Sequence, residues 1–286
     1  LLSYRHAFHA GNHADVLKHL VLVLTLEYYL RKDKPFWYID THAGSGLYQL
    51  RSAAAQKTRE FAQGIQTLWE APNVPDELQS YLQQIRSLNA STTLNHYPGS
   101  PWLAANLLRN ADQLRLFELH PSDFSALNQN LGDDKRVHLS KQDGLKGLLG
   151  LLPPITRRAV TLIDPSYELK TDYNDVISTL SKAYQRFATG TYLLWYPVIE
   201  RQRVKQMAAA LQQTGIAGIL QLEYCPLADS IGMGMTGSGL FVINPPWLLA
   251  GQMQTLLPWL NQQMAHGNGH FTVAYITPEK NTGSKG

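Results

Sequence analysis

The chain has 286 residues, 44% hydrophobic and 16% charged, enough to bury a sizeable core and to exclude wholesale disorder. A single cysteine, Cys225, excludes an internal disulfide and fits a reducing cytosol, while a net charge of +3 permits a nucleic-acid partner without demanding one. The longest apolar run near the start, Leu20 to Leu26, is too short to span a bilayer and is followed by Glu27, Arg31 and Lys32; no membrane segment or secretory signal is expected, and the location is expected to be cytoplasmic.

Residues 1–14 are rich in histidine and aromatics, show no period, and are expected to form an arm or lid. Leu17, Leu20, Val21, Leu24 and Tyr28 then recur at helical spacing, with Asn12 or Asp15 as the N-cap. Phe36 to Asp40 predicts a short buried strand breaking into the glycine turn Thr41 to Gly46. From Tyr48 to about Tyr97 the pattern is helical and more polar. Ile65, Leu68 and Trp69, then Leu78, Tyr81, Leu82 and Ile85, predict two helices separated by the Pro72–Pro75 turn. This stretch, about 51–97, reads as a helical insertion in a main domain made of 1–50 and 98–286.

Alternation returns afterwards. Leu114 to Leu119, Arg136 to Ser140, Ala159 to Asp164 and Thr191 to Val198 predict strands, with helices from Pro121, about Asp172 and Glu200. Gly218 to Cys225 and Gly239 to Asn244 predict late strands. Strands alternating with helices imply an α/β fold with a mostly parallel sheet covered on both faces. There is no internal repeat, and the tail from Pro278 is polar and expected to be loose.

In such a sheet ligands sit outside the carboxyl ends of the strands. Asp40 to Gly46 closes the first strand with two glycines one residue apart, a weak signal that a structural turn or a dinucleotide site also gives; Gln49 stands where the third glycine of the dinucleotide fingerprint would be. Glu118, near the end of the second strand, has the chemistry to hold the two hydroxyls of a ribose. Asp143-Gly144 follows the third and is set to meet an adenine edge. The bland alternative for both acids is surface charge.

The fourth strand ends in Asp164-Pro165-Ser166-Tyr167, which is similar to the [DN]-P-P-[YF] motif of methyltransferases acting on the amino nitrogens of bases. The lone pair of an adenine N6 is delocalised into the ring, so the amine is a poor nucleophile. Asp164 and the Pro165 carbonyl can accept its two N–H bonds and draw the nitrogen towards tetrahedral geometry, while Tyr167 stacks on a base that has left its duplex or loop. An ordinary proline turn gives the same string. Asn244-Pro245-Pro246-Trp247 matches the motif literally, but it follows a late strand expected to run antiparallel and end at the far side; it is read as a turn capping the C-terminal helix.

Tyr4, Arg5, His6, His9, His13, Lys18 and His19 crowd the first segment. A His9–His13 metal site, a lid over cofactor and base, and a plain surface arm all fit. The chain offers neither H-E-x-x-H nor paired cysteines, so no metal is expected.

The run Ser3 to Asn12, followed by Ala14 to His19, resembles the opening of the bacterial RlmJ family, the 23S ribosomal RNA adenine-N6-methyltransferases. Asp40-Thr41-His42-Ala43-Gly44, Gly99-Ser100-Pro101 and Asp164-Pro165-Ser166-Tyr167-Glu168 match it in order. The resemblance covers essentially the whole chain, including the insertion. It implies a Rossmann-like class I methyltransferase fold using S-adenosyl-L-methionine, with an antiparallel last strand. The implied cofactor site is His19, His42, Ser100, Glu118, Asp143, Gly144 and Asp164. The implied catalytic carboxylate is Asp164, with Tyr4, His6 and Lys18 tied to substrate handling or catalysis; Tyr4 and Tyr167 would meet the RNA. Ser166 departs from the family's second proline, adding a donor and freedom to the loop. Activity is expected to survive the change.

Arg201, Arg203 and Lys205, Arg157-Arg158, and Arg51, Lys57 and Arg59 are candidate phosphate contacts, each equally a solvated face. The expected partner is 23S ribosomal RNA and the expected state a monomer. Two rivals stand beside this reading, a DNA adenine-N6 methyltransferase and a non-catalytic RNA-binding assembly factor. The residues alone do not separate RNA from DNA.

Overall fold

The computed structural model describes residues 5–89, 92–229 and 234–278, so Tyr4 and the tail after Pro278 lie outside the described residues. After a short 3-10 turn at His6–Phe8, helix α1 (His13–Leu30) begins at Asn12, whose side-chain oxygen accepts the backbone N–H of Ala14 and Asp15. This satisfies two of the donors a helix start leaves open. Every residue of α1 from Ala14 to Leu26 is buried. The reason is position: α1 lies between the main sheet and helices α4 (Asp76–Ser87), α5 (Ser100–Leu107) and α10 (Leu249–Ala265). A helix covered all round must be apolar all round. Each leucine or valine there contributes about 1.5–3 kcal/mol by burial, and a carboxylate at Val21 would break the packing.

The main sheet has eight strands in the order β10-β8-β9-β7-β6-β1-β4-β5. Seven come from the expected segments, among them β1 (Trp37–Asp40), β4 (Gln113–Phe117), β5 (Val137–Ser140), β6 (Ala159–Ile163) and β7 (Thr191–Val198). These five run parallel to their neighbours in that group. Strand β9 (Gly237–Ile243) runs antiparallel as expected, inserted between β7 and β8 (Ile219–Cys225), but it is not the last strand. Outermost, β10 (His270–Tyr275) pairs antiparallel with β8. Two helical layers cover the sheet. Val160 and Leu162 of β6 join the core shared with α1, α5 and α10. The alternate residues Ala159 and Ile163 join the core beneath α8 (Asp172–Arg186) and α9 (Arg201–Gln213). This is a Rossmann-like arrangement, and its chain reverses direction about β1, which has β4 on one side and β6 on the other.

The segment expected to be helical from Tyr48 to Tyr97 instead opens and closes with strands, β2 (Leu47–Gln49) and β3 (His96–Pro98), paired antiparallel. Between them α3 (Ile65–Trp69) and α4 occupy the two expected helices, preceded by α2 (Ala53–Thr58) and a 3-10 turn at Glu60–Gln63. Three-residue strands are too short to carry a period-two signal. Leu78, Tyr81, Leu82 and Ile85 of α4 share the core of α1.

Candidate active site

The crevice outside the carboxyl ends of β1 and β6 is the switch point of the sheet, where open α/β folds bind ligands. Asp164 stands there, one residue past β6, and Lys18 reaches it from α1. The Lys18 ammonium lies 2.6 Å from Asp164 Oδ2 and 2.9 Å from Asp15 Oδ1. Its third direction faces the Trp195 ring, with the centroid 5.9 Å away. Among the described residues Asp164 Oδ1 has no hydrogen-bond partner. Burial pulls the Lys18 pKa down, but Asp15 and Asp164 outweigh it and hold the ammonium well above its ordinary value.

Asp15 is itself almost wholly buried. Its Oδ2 accepts from His6 Nε2 at 2.8 Å and from the Gly11 amide at 2.9 Å. Burial favours the protonated acid, yet His6, Lys18 and His19 together hold the carboxyl well below its ordinary range. His19 is buried deeper, its Nδ1 at 2.8 Å from the Tyr97 hydroxyl, which in turn meets the Tyr81 hydroxyl at 2.8 Å. Burial, aided by the nearby Lys18 charge, lowers its pKa to about 3, so the ring is neutral. Tyr48 meets the His6 ring edge-on, with centroids 5.0 Å apart.

On the β1 side Asp40 is fully buried and accepts from the Tyr38 hydroxyl at 2.6 Å, the Ser100 hydroxyl at 2.7 Å and the His42 amide at 3.1 Å. Burial raises its pKa. Ser100 opens α5, so this bond pins that helix start to β1. The His42 ring is half-buried, with a pKa lowered to about 4 by burial. Gly44, at φ 62°, donates its amide to Glu118 Oε2 at 2.8 Å. A β-carbon at Gly44 would overlap the Tyr48 hydroxyl. Glu118 Oε1 accepts the His120 amide at 2.7 Å. Each Glu118 oxygen thus retains a lone pair for a hydroxyl ligand, and burial raises the pKa of this carboxyl. Asp143 caps α7 (Gly144–Leu151) through Oδ1, while its Oδ2 lies 3.6 Å from the Lys146 ammonium. Gly144 presses against the Thr41 carbonyl, where no β-carbon fits. The Gly44 turn, Glu118 and the start of α7 therefore meet along one edge.

Tyr167 adopts φ 53°, in the left-handed region, and is held there by its hydroxyl, which donates to the Trp195 carbonyl at 2.6 Å. Its ring packs against Tyr173 and Trp195 and is buried. The Trp195 indole N–H is buried without a partner. Ser166 is exposed. Of the residues singled out from sequence, the fold gathers Lys18, His6, Asp164 and Tyr167 on one side of the crevice and His42, Ser100, Glu118, Asp143 and Gly144 on the other; His19 lies behind Asp15. Sequence reading missed Asp15 as part of the site, although it stands one helical turn before Lys18. It also missed Trp195, which carries no motif.

Other candidates are used elsewhere. Asn244, at φ 50°, donates its side-chain amide to the Ala188 and Gly190 carbonyls at the opposite end of the sheet. Arg201 is committed to Glu223 and Asp229, with Cys225 and His270 beside it. Arg203 pairs with Glu200. Arg158 precedes β6, at the sheet edge away from Asp164, and donates to the Tyr29 carbonyl. His9 pairs with Glu60 at 2.8 Å. A cavity of about 940 Å³ lies against Trp69 and Arg86, away from the strand ends. No helix among the described residues is long and apolar enough to cross a membrane.

A sheet of this order, with an acidic strand end beside β1 and a D-P-x-Y loop after β6, defines a class I methyltransferase. Residues 33–277 match the family described as "Ribosomal RNA large subunit methyltransferase D, RlmJ". The chain is 51% identical over 280 residues to the ribosomal RNA large subunit methyltransferase J of Escherichia coli (strain K12), covering 98% of this chain and all of that one. It is 48% identical to the enzyme of the same name from Haemophilus influenzae, again over 98% of this chain and all of the relative. A crystal structure of a Legionella pneumophila protein superposes with a TM-score of 0.88 at 35% identity, over 93% of this chain and 98% of that one. The chain belongs to the RlmJ family of ribosomal RNA methyltransferases.

Proposed function

We propose that this chain methylates the N6 amino group of an adenine in 23S ribosomal RNA. The observation that carries the reading is Asp164 at the switch point of the sheet, held through one oxygen by Lys18 while the other is left open. The open oxygen and the Pro165 carbonyl accept the two N6–H bonds and bring the lone pair out of conjugation; positioning and polarisation supply the rate. The base is extruded or already unpaired when it enters. It rests between Tyr167 and His6, and Tyr4 is a further residue proposed to meet the RNA.

S-adenosyl-L-methionine is the methyl donor and supplies a sulfonium-bound methyl group. The residues along the other edge fit it. Glu118 retains acceptor capacity for the ribose hydroxyls and Asp143 for an adenine edge. Gly144 lets the start of α7 approach, and His42 with the Gly44 turn faces the methionine part. Ser100 and His19 act from behind, through Asp40 and Asp15. The catalytic unit is 1–50 with 98–286, and 51–97 is an insertion. The protein works as a cytoplasmic monomer on RNA that is free of ribosomal proteins or early in assembly.

Tritiated methyl donor offered with protein-free 23S RNA, and separately with duplex DNA, tests the reading. Label is expected in N6-methyladenine of the RNA and is lost with Asp164→Ala. Label in DNA alone would favour the DNA enzyme. Retained transfer by Asp164→Ala would overturn the site.

A further inference from the structure

Asp15 lies one helical turn before Lys18 and is the second carboxylate on the ammonium that grips Asp164. Its four polar contacts divide cleanly. Oδ1 faces Lys18 at 2.9 Å and His19 at 4.0 Å; Oδ2 accepts from His6 at 2.8 Å and from the Gly11 amide at 2.9 Å. One buried side chain therefore ties the N-terminal segment to the lysine that touches the acceptor carboxylate. We propose that Asp15 is a positioning residue of the methyl-transfer site, fixing the direction and charge of Lys18 so that Asp164 keeps one oxygen free for the substrate amine. The inference rests on the function proposed above.

The physical case is one of competing acceptors. A buried ammonium with a single carboxylate partner is free to turn donors onto both oxygens of that partner and is stabilised by it alone. With Asp15 as a second anchor, Lys18 is stretched between two acceptors and can reach only Oδ2 of Asp164. The groups facing Lys18 are Asp15 and His19 on its own helix, His6 on the N-terminal segment, Asp164 after β6, Tyr48 on β2 and Tyr81 on α4. Only the two carboxylates favour its charged form; His19 and the tyrosines are neutral, and a charged His6 would oppose it. Burial alone would neutralise the amine, so the charge of Lys18 depends on both acids.

Asp15→Asn retains the shape and the acceptor for the Gly11 amide but removes the charge. Single-turnover methylation of 23S RNA fragments is measured for wild type and variant across pH 6 to 10. The wild type is expected to be flat on the alkaline side until far above neutrality. The variant is expected to lose at least tenfold in rate at pH 9 and to regain part of it at pH 7, with donor affinity by calorimetry within threefold of wild type. A merely structural role would lower the rate evenly across pH. A variant rate and profile equal to wild type, or an even loss, overturns the proposal. If Asp15→Asn does not fold, Asp15→Glu decides: a tenfold loss in rate with unchanged donor affinity supports the proposal, and wild-type rate overturns it. Failure of the wild type itself to methylate RNA would count against the function, not against Asp15.

Discussion

Lys18 and Asp164 stand 146 positions apart in the chain and 2.6 Å apart in the fold, and the Lys18 ammonium lies between the Asp15 and Asp164 carboxylates. Removing it leaves Asp164 without its ion-pair partner and Asp15 with His6 and the Gly11 amide alone, a loss of about 3–5 kcal/mol for a buried pair. Lys18→Met is therefore expected to be strongly destabilised at pH 7 and inactive. The sign with pH is distinctive. Without the lysine, burial is free to push the Asp15 carboxyl upwards, so the native protein takes up protons more readily and recovers stability as pH falls. Urea unfolding at pH 7 and pH 5 checks this; a deficit that does not shrink at pH 5 would refute it.

Gly144 gives a second, purely steric expectation. Its α-carbon lies against the Thr41 carbonyl, and an added β-carbon would overlap that backbone atom. Neither partner is a flexible side-chain end, so α7 must move away from the turn after β1. Gly144→Ala is expected to cost about 1–3 kcal/mol, the range for overpacking, and to weaken donor binding more than tenfold. Thermal unfolding with calorimetry of S-adenosylmethionine measures both; wild-type affinity in this variant would remove the start of α7 from the donor site.

How much of this was legible in the sequence depended on range. The long helix, the parallel strands and the D-P-x-Y loop each declare themselves within a window of ten or so residues. Strand β10 does not, because both its faces are largely exposed and it shows no alternation. Helix α5 was equally silent: it is short, and its run from Ser100 to Ala105 is buried apart from half-buried Trp102. The Asp15–Lys18–Asp164 contact depends on folding α1 over β6, which no local pattern encodes. Tyr167 was anticipated as a stacking ring, yet its φ of 53° and its bond to the Trp195 carbonyl are tertiary facts.

Among the histidines with depressed pKa values, His13 and His42 lie at about 4 and His19 at about 3, each chiefly through burial. Below their ordinary value of 6.5 the unfolded chain binds protons that the native state refuses, so stability falls as pH drops from 6.5 towards 4. His9 opposes them, since Glu60 raises its pKa. Each depressed histidine is expected to cost about 1 kcal/mol between pH 7 and pH 5.5. Denaturant midpoints at the two pH values test this, and His13→Gln should flatten the dependence by about one proton. An unchanged midpoint would mean the rings are not buried neutral.

Ser166 is exposed, and no backbone acceptor among the described residues takes its amide hydrogen. Proline there forfeits no bond and narrows the unfolded ensemble. Ser166→Pro is expected to add about 0.4–1 kcal/mol of stability and to leave the methylation rate within threefold. A lost rate with intact folding would show that loop freedom at Ser166 is used in turnover.

Asn244-Pro245-Pro246-Trp247 tests the assignment of the acceptor loop from the other direction. Strand β9 runs against β7, so Ile243 pairs with Tyr192 near the start of β7, whereas Asp164 follows the end of β6. The two motifs open on opposite edges of the sheet, and a base held at one cannot be served by a donor beside the other. The Asn244 side chain closes the turn by donating to the Ala188 and Gly190 carbonyls from a left-handed backbone that asparagine tolerates better than most residues. Asn244→Ala is therefore expected to lose about 1–3 kcal/mol of stability, through the two freed carbonyls and the backbone strain, while single-turnover methylation of 23S RNA stays within twofold of wild type. Asp164→Asn should show the opposite effect on transfer, with the rate lost in the molecules that remain folded. If Asn244→Ala folds but abolishes transfer, the methylated base docks at the other edge and the Asp164 crevice serves another purpose.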